Sequence, residues 1–136
     1  MSTVLVVDDE PLIRWAVREI LEDAGYGVVE AGSAREAMSR IAEADGHPLA
    51  VALLDLRLPD SDDLSLLRRV RGEAPLCKVI IMTAHGAPEI LRDAVTQGAF
   101  GTISKPFDLT SVVAMVQAAE RALPRPGAPA LGPKPL

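Results

Sequence analysis

At 136 residues and a net charge of −5, from 14 Lys+Arg against 19 Asp+Glu, the chain reads as one domain whose acidic balance argues against a nucleic-acid or anionic-membrane surface. Hydrophobic residues make up 49% and aromatics 3%, so the core must be aliphatic; the single Cys77 has no CxxC partner and fits a small apolar residue opening a strand in a reducing compartment. No basic-then-apolar leader and no apolar run of about 18 residues is present, which predicts a cytoplasmic chain that does not span a membrane.

Val4 to Val7 form a first apolar run, and Asp8-Asp9-Glu10 follow directly. Pro11 suits the first turn of a helix, where its missing N–H is not needed. Leu12, Ile13, Ala16, Val17, Ile20, Leu21 and Ala24 then recur at helical spacing up to Gly25. Gly27 to Ala31 predict a short second strand. Ser33-Ala34-Arg35-Glu36 has the capping-box pattern, and Ala34, Ala37, Met38, Ile41 and Ala42 give the apolar stripe of a second helix. Asp45-Gly46-His47-Pro48 breaks it.

The next run, Val51-Ala52-Leu53-Leu54-Asp55, ends in a carboxylate and reads as a buried strand of a parallel sheet. Past Pro59, the polar Asp60-Ser61-Asp62-Asp63 suits the cap of a third helix, with Leu64, Leu66, Leu67 and Val70 inward. Lys78 to Met82 predict a fourth strand that ends at Thr83-Ala84-His85-Gly86. Pro88 opens a fourth helix and Gly98 closes it. Phe100 to Ser104 predict a fifth strand, followed by Lys105-Pro106-Phe107, and Asp108 caps a last helix carrying Leu109, Val112, Val113, Val116 and Ala119. From Pro124 the chain is rich in Pro, which predicts an extended linker or disordered tail over 124–136, after a domain at 1–123.

Strand–helix alternation repeated in this way implies an α/β fold, a doubly wound five-stranded parallel sheet with five helices. Right-handed crossovers leave few topologies, of which order 2-1-3-4-5 is a common one. Such a sheet presents the carboxyl ends of all its strands along one edge, where ligands bind. That edge would collect Asp8 and Asp9 from the first strand, Asp55 from the third, Thr83 from the fourth and Lys105 from the fifth. Any one of them has an ordinary reading: Asp as a cap or helix opener, Thr as a strand end, Lys as a solvated surface residue. Together they suggest a site. Crowded carboxylates repel unless a cation neutralises them, and oxygen donors with open positions suit Mg²⁺. A hydroxyl and an ammonium beside them suit an arriving phosphoryl group, and a carboxylate can itself be the nucleophile that accepts it.

This set resembles the receiver domain of bacterial two-component response regulators, through Val6-Val7-Asp8-Asp9-Glu10, Leu54-Asp55 to Pro59, Met82-Thr83-Ala84 and Lys105-Pro106-Phe107. The resemblance implies a flavodoxin-like receiver fold with Asp55 as phosphoacceptor. It implies that Asp9, Asp55 and the backbone carbonyl of Arg57 bind Mg²⁺, with Asp8 acting mainly through water. Thr83, with Ala84 after it, would be the switch hydroxyl, Lys105 the phosphate-binding cation, and Lys105–Pro106 a cis bond. The implied partners are a sensor histidine kinase and an output domain or effector. A homodimer through the fourth helix, fifth strand and fifth helix is a further implied contact. No turnover enzyme is implied, only self-phosphorylation and dephosphorylation at Asp55. Ile13-Arg14-Trp15, Val79 to His85 and Gln97-Gly98-Ala99-Phe100 look like the nitrogen-regulation branch, whose members carry a sigma-54-activating ATPase and a DNA-binding module.

Two positions depart from the family pattern. Thr102 stands where Tyr or Phe is usual, so the usual hydroxyl–aromatic coupling has no aromatic, and the loop and helix after Thr83 become the expected route for the signal. Asp63 stands where Gly usually provides positive φ. Arg57 and His85, two residues past Asp55 and Thr83, are placed to modulate hydrolysis. A haloacid-dehalogenase-type phosphatase would carry a second Asp at position 57, where Arg57 stands; a flavodoxin-like nucleotide binder would not put Asp8-Asp9-Glu10 where phosphate binds. A stand-alone receiver that docks to a partner is the remaining alternative.

Overall fold

The computed structural model describes residues 2–44, 48–84 and 88–122. Ten elements alternate: β1 (Thr3–Val7), α1 (Pro11–Asp23), β2 (Gly27–Ala31), α2 (Ala34–Glu43), β3 (Leu49–Asp55), α3 (Ser65–Glu73), β4 (Lys78–Thr83), α4 (Pro88–Thr96), β5 (Gly101–Ser104) and α5 (Leu109–Arg121). The strands form one parallel sheet in the order β2-β1-β3-β4-β5, as the alternation implies.

Alternation along each strand sends side chains to opposite faces, and both faces are covered. Leu5, Val7, Ala52, Leu54, Val79 and Ile81 pack with Ala37, Leu67, Val70 and Ala94 on one side. Val4, Val6, Val51, Leu53, Ile80 and Met82 pack with Val17, Leu21, Val112, Val116 and Ala119 on the other. This two-sided burial is why the central strands β1, β3 and β4 read as nearly unbroken apolar runs rather than as an alternating pattern, while the edge strands β2 and β5 are mixed. Cys77 is buried at the entry to β4, and burial pushes its thiol up to about 12, so it stays a protonated, apolar group. No described helix is long and apolar enough to cross a membrane.

The local signals hold with four adjustments. Leu12 lies on the apolar stripe predicted for α1 yet is 81% exposed, because the buried line of that helix runs through Val17 and Leu21. In the capping box the Ser33 Oγ accepts from the Glu36 N–H as expected, but Glu36 reaches the N–H of Gly32 rather than that of Ser33. The polar run after Pro59 divides its work. Asp63 accepts from the Ser65 N–H at the start of α3, while Asp60 caps α2 instead, accepting from the N–H groups of Ala34 (2.8 Å) and Arg35 (2.9 Å). Asp63 needs no positive φ, since among the described residues only Gly25 (97°) and Gly98 (106°) adopt it. The predicted break at 45–47 and the tail from Pro124 lie outside the described residues.

The Asp60 cap ties the segment after Asp55 to a different helix. Leu58 and Ser61 exchange backbone hydrogen bonds across a tight turn, with Pro59 fixing the corner and Asp60 following it. Two backbone N–H donors hold the Asp60 carboxyl below the usual carboxylate range. Its contribution to stability is therefore complete above the ordinary carboxylate pKa of about 4 and is lost as pH falls through the depressed folded value. Asp60→Ala should lower unfolding free energy by about 1 kcal/mol at pH 7. Urea melts at pH 7 and pH 3 check this: the gap between the two proteins should narrow in acid.

Candidate functional site

The carboxyl edge of the sheet is where the charged residues converge. Asp8 directly follows β1 and is fully buried. Asp55 ends β3 and is 8% exposed. Lys105, one residue past β5, places its Nζ 2.7 Å from Asp8 Oδ2 and 3.1 Å from Asp55 Oδ2. One ammonium thus bridges two carboxylates from different strands. The Lys105–Pro106 peptide is cis. Thr83, 3% exposed, ends β4, and its carbonyl accepts from the Lys105 N–H at 2.7 Å. The hydroxyl-bearing residue and the lysine are therefore joined through the backbone.

The remaining sequence candidates take these positions. Asp9 and Glu10 are exposed beside Asp8, and one carboxylate oxygen from each of the three lies within 4.8 Å of the others. Glu10 also stands 3.8 Å from Lys105 Nζ, a contact the sequence reading left unassigned although the three acids are adjacent in the chain. The Arg57 N–H donates to Asp55 Oδ1 at 3.0 Å, while the residue itself is exposed. Ala84 is exposed after Thr83, and Pro106 is exposed. Thr102 is half-buried in β5, where its register partner on β4 is Ile81. His85 lies outside the described residues.

The electrostatics follow from burial and crowding. Burial raises the Asp55 pKa, with the nearby Asp8 charge adding to it, against the Arg57 N–H and Lys105, which favour the carboxylate. Burial also works against the Lys105 ammonium, but hydrogen bonds to Asp8 and Asp55 outweigh it and hold that pKa above the ordinary lysine value. The donor set is made of hard carboxylate oxygens, several of them open to solvent, which suits a hard divalent cation such as Mg²⁺.

A parallel 2-1-3-4-5 sheet carrying acids from β1 and β3 and a lysine after β5 at one edge defines a receiver-like α/β domain. Residues 4–117 match the response regulator receiver domain, and the chain belongs to that family. It is 37% identical over 116 residues to the DNA-binding transcriptional regulator NtrC of Salmonella typhimurium, covering 85% of this chain and 24% of that protein. It is also 37% identical over 121 residues to the virulence transcriptional regulatory protein PhoP of Salmonella typhimurium, covering 89% of this chain and 53% of that one. The chain thus spans about a quarter to about half of the length of these curated relatives. Among solved structures, the beryllofluoride-activated NtrC4 receiver domain dimer is similar with a TM-score of 0.80 and 33% identity, covering 88% of this chain and 96% of that one.

The raised Asp55 pKa has a sign for stability. The unfolded chain loses this proton first, so stability falls as pH rises from the ordinary carboxylate value through the raised folded one. Asp55→Asn should therefore raise the Tm of the metal-free protein by a few degrees at pH 7, with a smaller gain at pH 3.5, measured by calorimetry. Saturating Mg²⁺ should stabilise the wild type by about 2.7 kcal/mol at a hundredfold excess over its Kd, and Asp55→Asn by less.

Proposed function

We propose that the chain is the phosphoacceptor receiver of a two-component system, and that Asp55 takes a phosphoryl group from a sensor histidine kinase. The observation that carries this is the convergence of Asp8, Asp55 and Lys105, with the Lys105 ammonium 2.7 and 3.1 Å from the two carboxylates. In the transfer an Asp55 carboxylate oxygen attacks the phosphorus of a phosphohistidine. The P–N bond breaks as the P–O bond forms, and the released imidazole takes up a proton. Lys105 pairs with the incoming phosphoryl oxygens, and the Thr83 hydroxyl donates to one of them. Asp9, Asp55 and the Arg57 backbone carbonyl would hold Mg²⁺, with Asp8 beside them. When bound, this ion neutralises the crowded carboxylates and the charge on the transferring group.

Phosphorylation shifts a population between two conformations of the α4–β5–α5 face, which then changes its partner: an output region, an effector or a second copy. The likeness to NtrC, to PhoP and to a dimeric activated receiver supports a transcriptional output. The quoted motifs and the NtrC and NtrC4 matches favour the sigma-54-activating branch. In this reading residues 124–136 lead toward the output region, and kinase and output place the chain in the cytoplasm. Its only chemistry is self-phosphorylation and dephosphorylation at Asp55.

Incubation with acetyl phosphate and Mg²⁺ should add one phosphoryl mass, and Asp55→Asn or chelation of Mg²⁺ should abolish it. An unmodified wild type would falsify the reading. Arg57 is exposed two residues past the acceptor, where its side chain would flank the approach of attacking water. Arg57→Asn should change the phosphoryl lifetime severalfold, followed by decay of the phosphorylated mass. An unchanged decay would remove its side chain from the mechanism.

A further inference from the structure

Asp8 is held at four points. Its N–H donates to the Ala31 carbonyl (3.1 Å), its Oδ1 accepts from the Glu10 N–H (2.9 Å), and its Oδ2 accepts from Lys105 (2.7 Å). The fourth point lies outside the acidic cluster. Arg14, one turn into α1, donates from Nη1 to the Asp8 carbonyl oxygen at 2.6 Å. The same guanidinium donates from Nε to Glu30 Oε1 of β2 at 3.2 Å, and Arg18 holds the second Glu30 oxygen at 2.7 Å. The Asp8 carbonyl and the Asp9 N–H belong to one planar peptide unit. Fixing that oxygen sets the plane from which the Asp9 carboxylate departs.

Gly32 makes room for this contact. A Cβ at that position would stand 3.2 Å from Arg14 Nη1 and 3.8 Å from its Cζ, although the Gly32 backbone needs no glycine conformation. The β2–α2 corner therefore forms the wall against which the guanidinium lies.

We propose that Arg14 is a positioning residue for the cation-binding acids: backed by Gly32 and oriented by Glu30, it fixes the Asp8–Asp9 peptide so that both carboxylates face one ion. The inference rests on the cation-binding role proposed above for Asp9 and its neighbours. It makes a prediction opposite in sign to simple electrostatics. Removing a positive charge near an acidic cluster should tighten cation binding, whereas losing a positioning contact should weaken it. Losses of metal affinity on removing such supporting partners are commonly tenfold or more.

The test is Mg²⁺ titration by calorimetry of the full chain, with Tm in EDTA as a check of folding. Arg14→Gln should weaken Mg²⁺ binding about tenfold. Arg14→Lys should not restore it, because one ammonium cannot span the carbonyl and Glu30 as the forked guanidinium does. Gly32→Ala should weaken binding in the wild type and add little on top of Arg14→Gln, since both act through one contact. Unchanged or tighter binding in Arg14→Gln, full rescue by lysine, or additive effects of the two substitutions would each overturn the proposal. A wild type that binds no Mg²⁺ would overturn the cation-site reading along with it, while a binding wild type with an indifferent Arg14→Gln would overturn the positioning role alone.

Discussion

The structure turns on one electrostatic imbalance: two buried carboxylates, Asp8 and Asp55, share the ammonium of Lys105, while Asp9 and Glu10 crowd the same edge. Two unit charges about 4 Å apart interact by about 4 kcal/mol at an effective dielectric of 20, so neither repulsion nor attraction here is small. One lysine cannot neutralise four acids. The fold bears the excess by burying some carboxylates with hydrogen-bond donors and leaving others in water. Asp8 and Asp55 have Lys105 and backbone N–H partners, and Asp9 and Glu10 are exposed. What is left is an edge with negative charge to spare and one cation already committed, a surface that an added cation and an added phosphoryl group would rebalance together.

The parallel sheet makes this arrangement possible. Its strands run in one direction, so residues far apart in sequence, such as Asp8, Asp55 and Lys105, end at one edge with spacing set by the ladder. The largely aliphatic layers on both faces fix that ladder, and the phenol of Tyr26, the polar side chain at the margin of one layer, donates to Glu120. The site is therefore anchored, through Asp8 and Asp55, to the ends of buried strands. The loops that complete it are secured separately: Asp60 pins the segment after Asp55 to α2, and the Lys105 N–H pins the residue after β5 to Thr83.

Most of the fold was legible because its cause is local. Unbroken apolar runs, Pro11 and Pro88 at helix starts, and Gly25 and Gly98 at helix ends each depend on near neighbours in the chain. The positions of Asp8 and Asp55 were legible for a related reason, since Asp8 directly follows an apolar run and Asp55 closes one, whereas Lys105 follows the mixed run Gly101 to Ser104 and was legible only with the Pro106 and Phe107 beside it. Non-local partners were not. Asp60 reads as a cap for the helix that follows it, and only the tight turn at Leu58–Ser61 reveals that it faces α2. Leu12 carries the right spacing for burial but is exposed, because the buried line of α1 runs through Val17 and Leu21, and spacing alone does not show which of two neighbouring stripes faces the sheet. Arg14 appears in the sequence only as part of the Ile13-Arg14-Trp15 likeness; its two contacts, the Asp8 carbonyl and Glu30, are not legible, because one is backbone and the other lies on a different strand.

Thr102 brings these threads together. It occupies the β5 position where an aromatic is usual in the family, it is half-buried, and its register partner on β4 is Ile81. A threonine has neither the reach nor the bulk of a tyrosine ring, so it cannot trade places between solvent and a pocket when Thr83 moves. β4 and β5 pair from Ile80 opposite Gly101 to Thr83 opposite Ser104, and the 2.7 Å hydrogen bond from the Lys105 N–H to the Thr83 carbonyl carries that backbone link one residue past the end of β5. A backbone bond moves both residues together. In the proposed switch, a pull on Lys105 by an anion at Asp55 would therefore act on the end of β4 through backbone. That route would need no side chain at position 102.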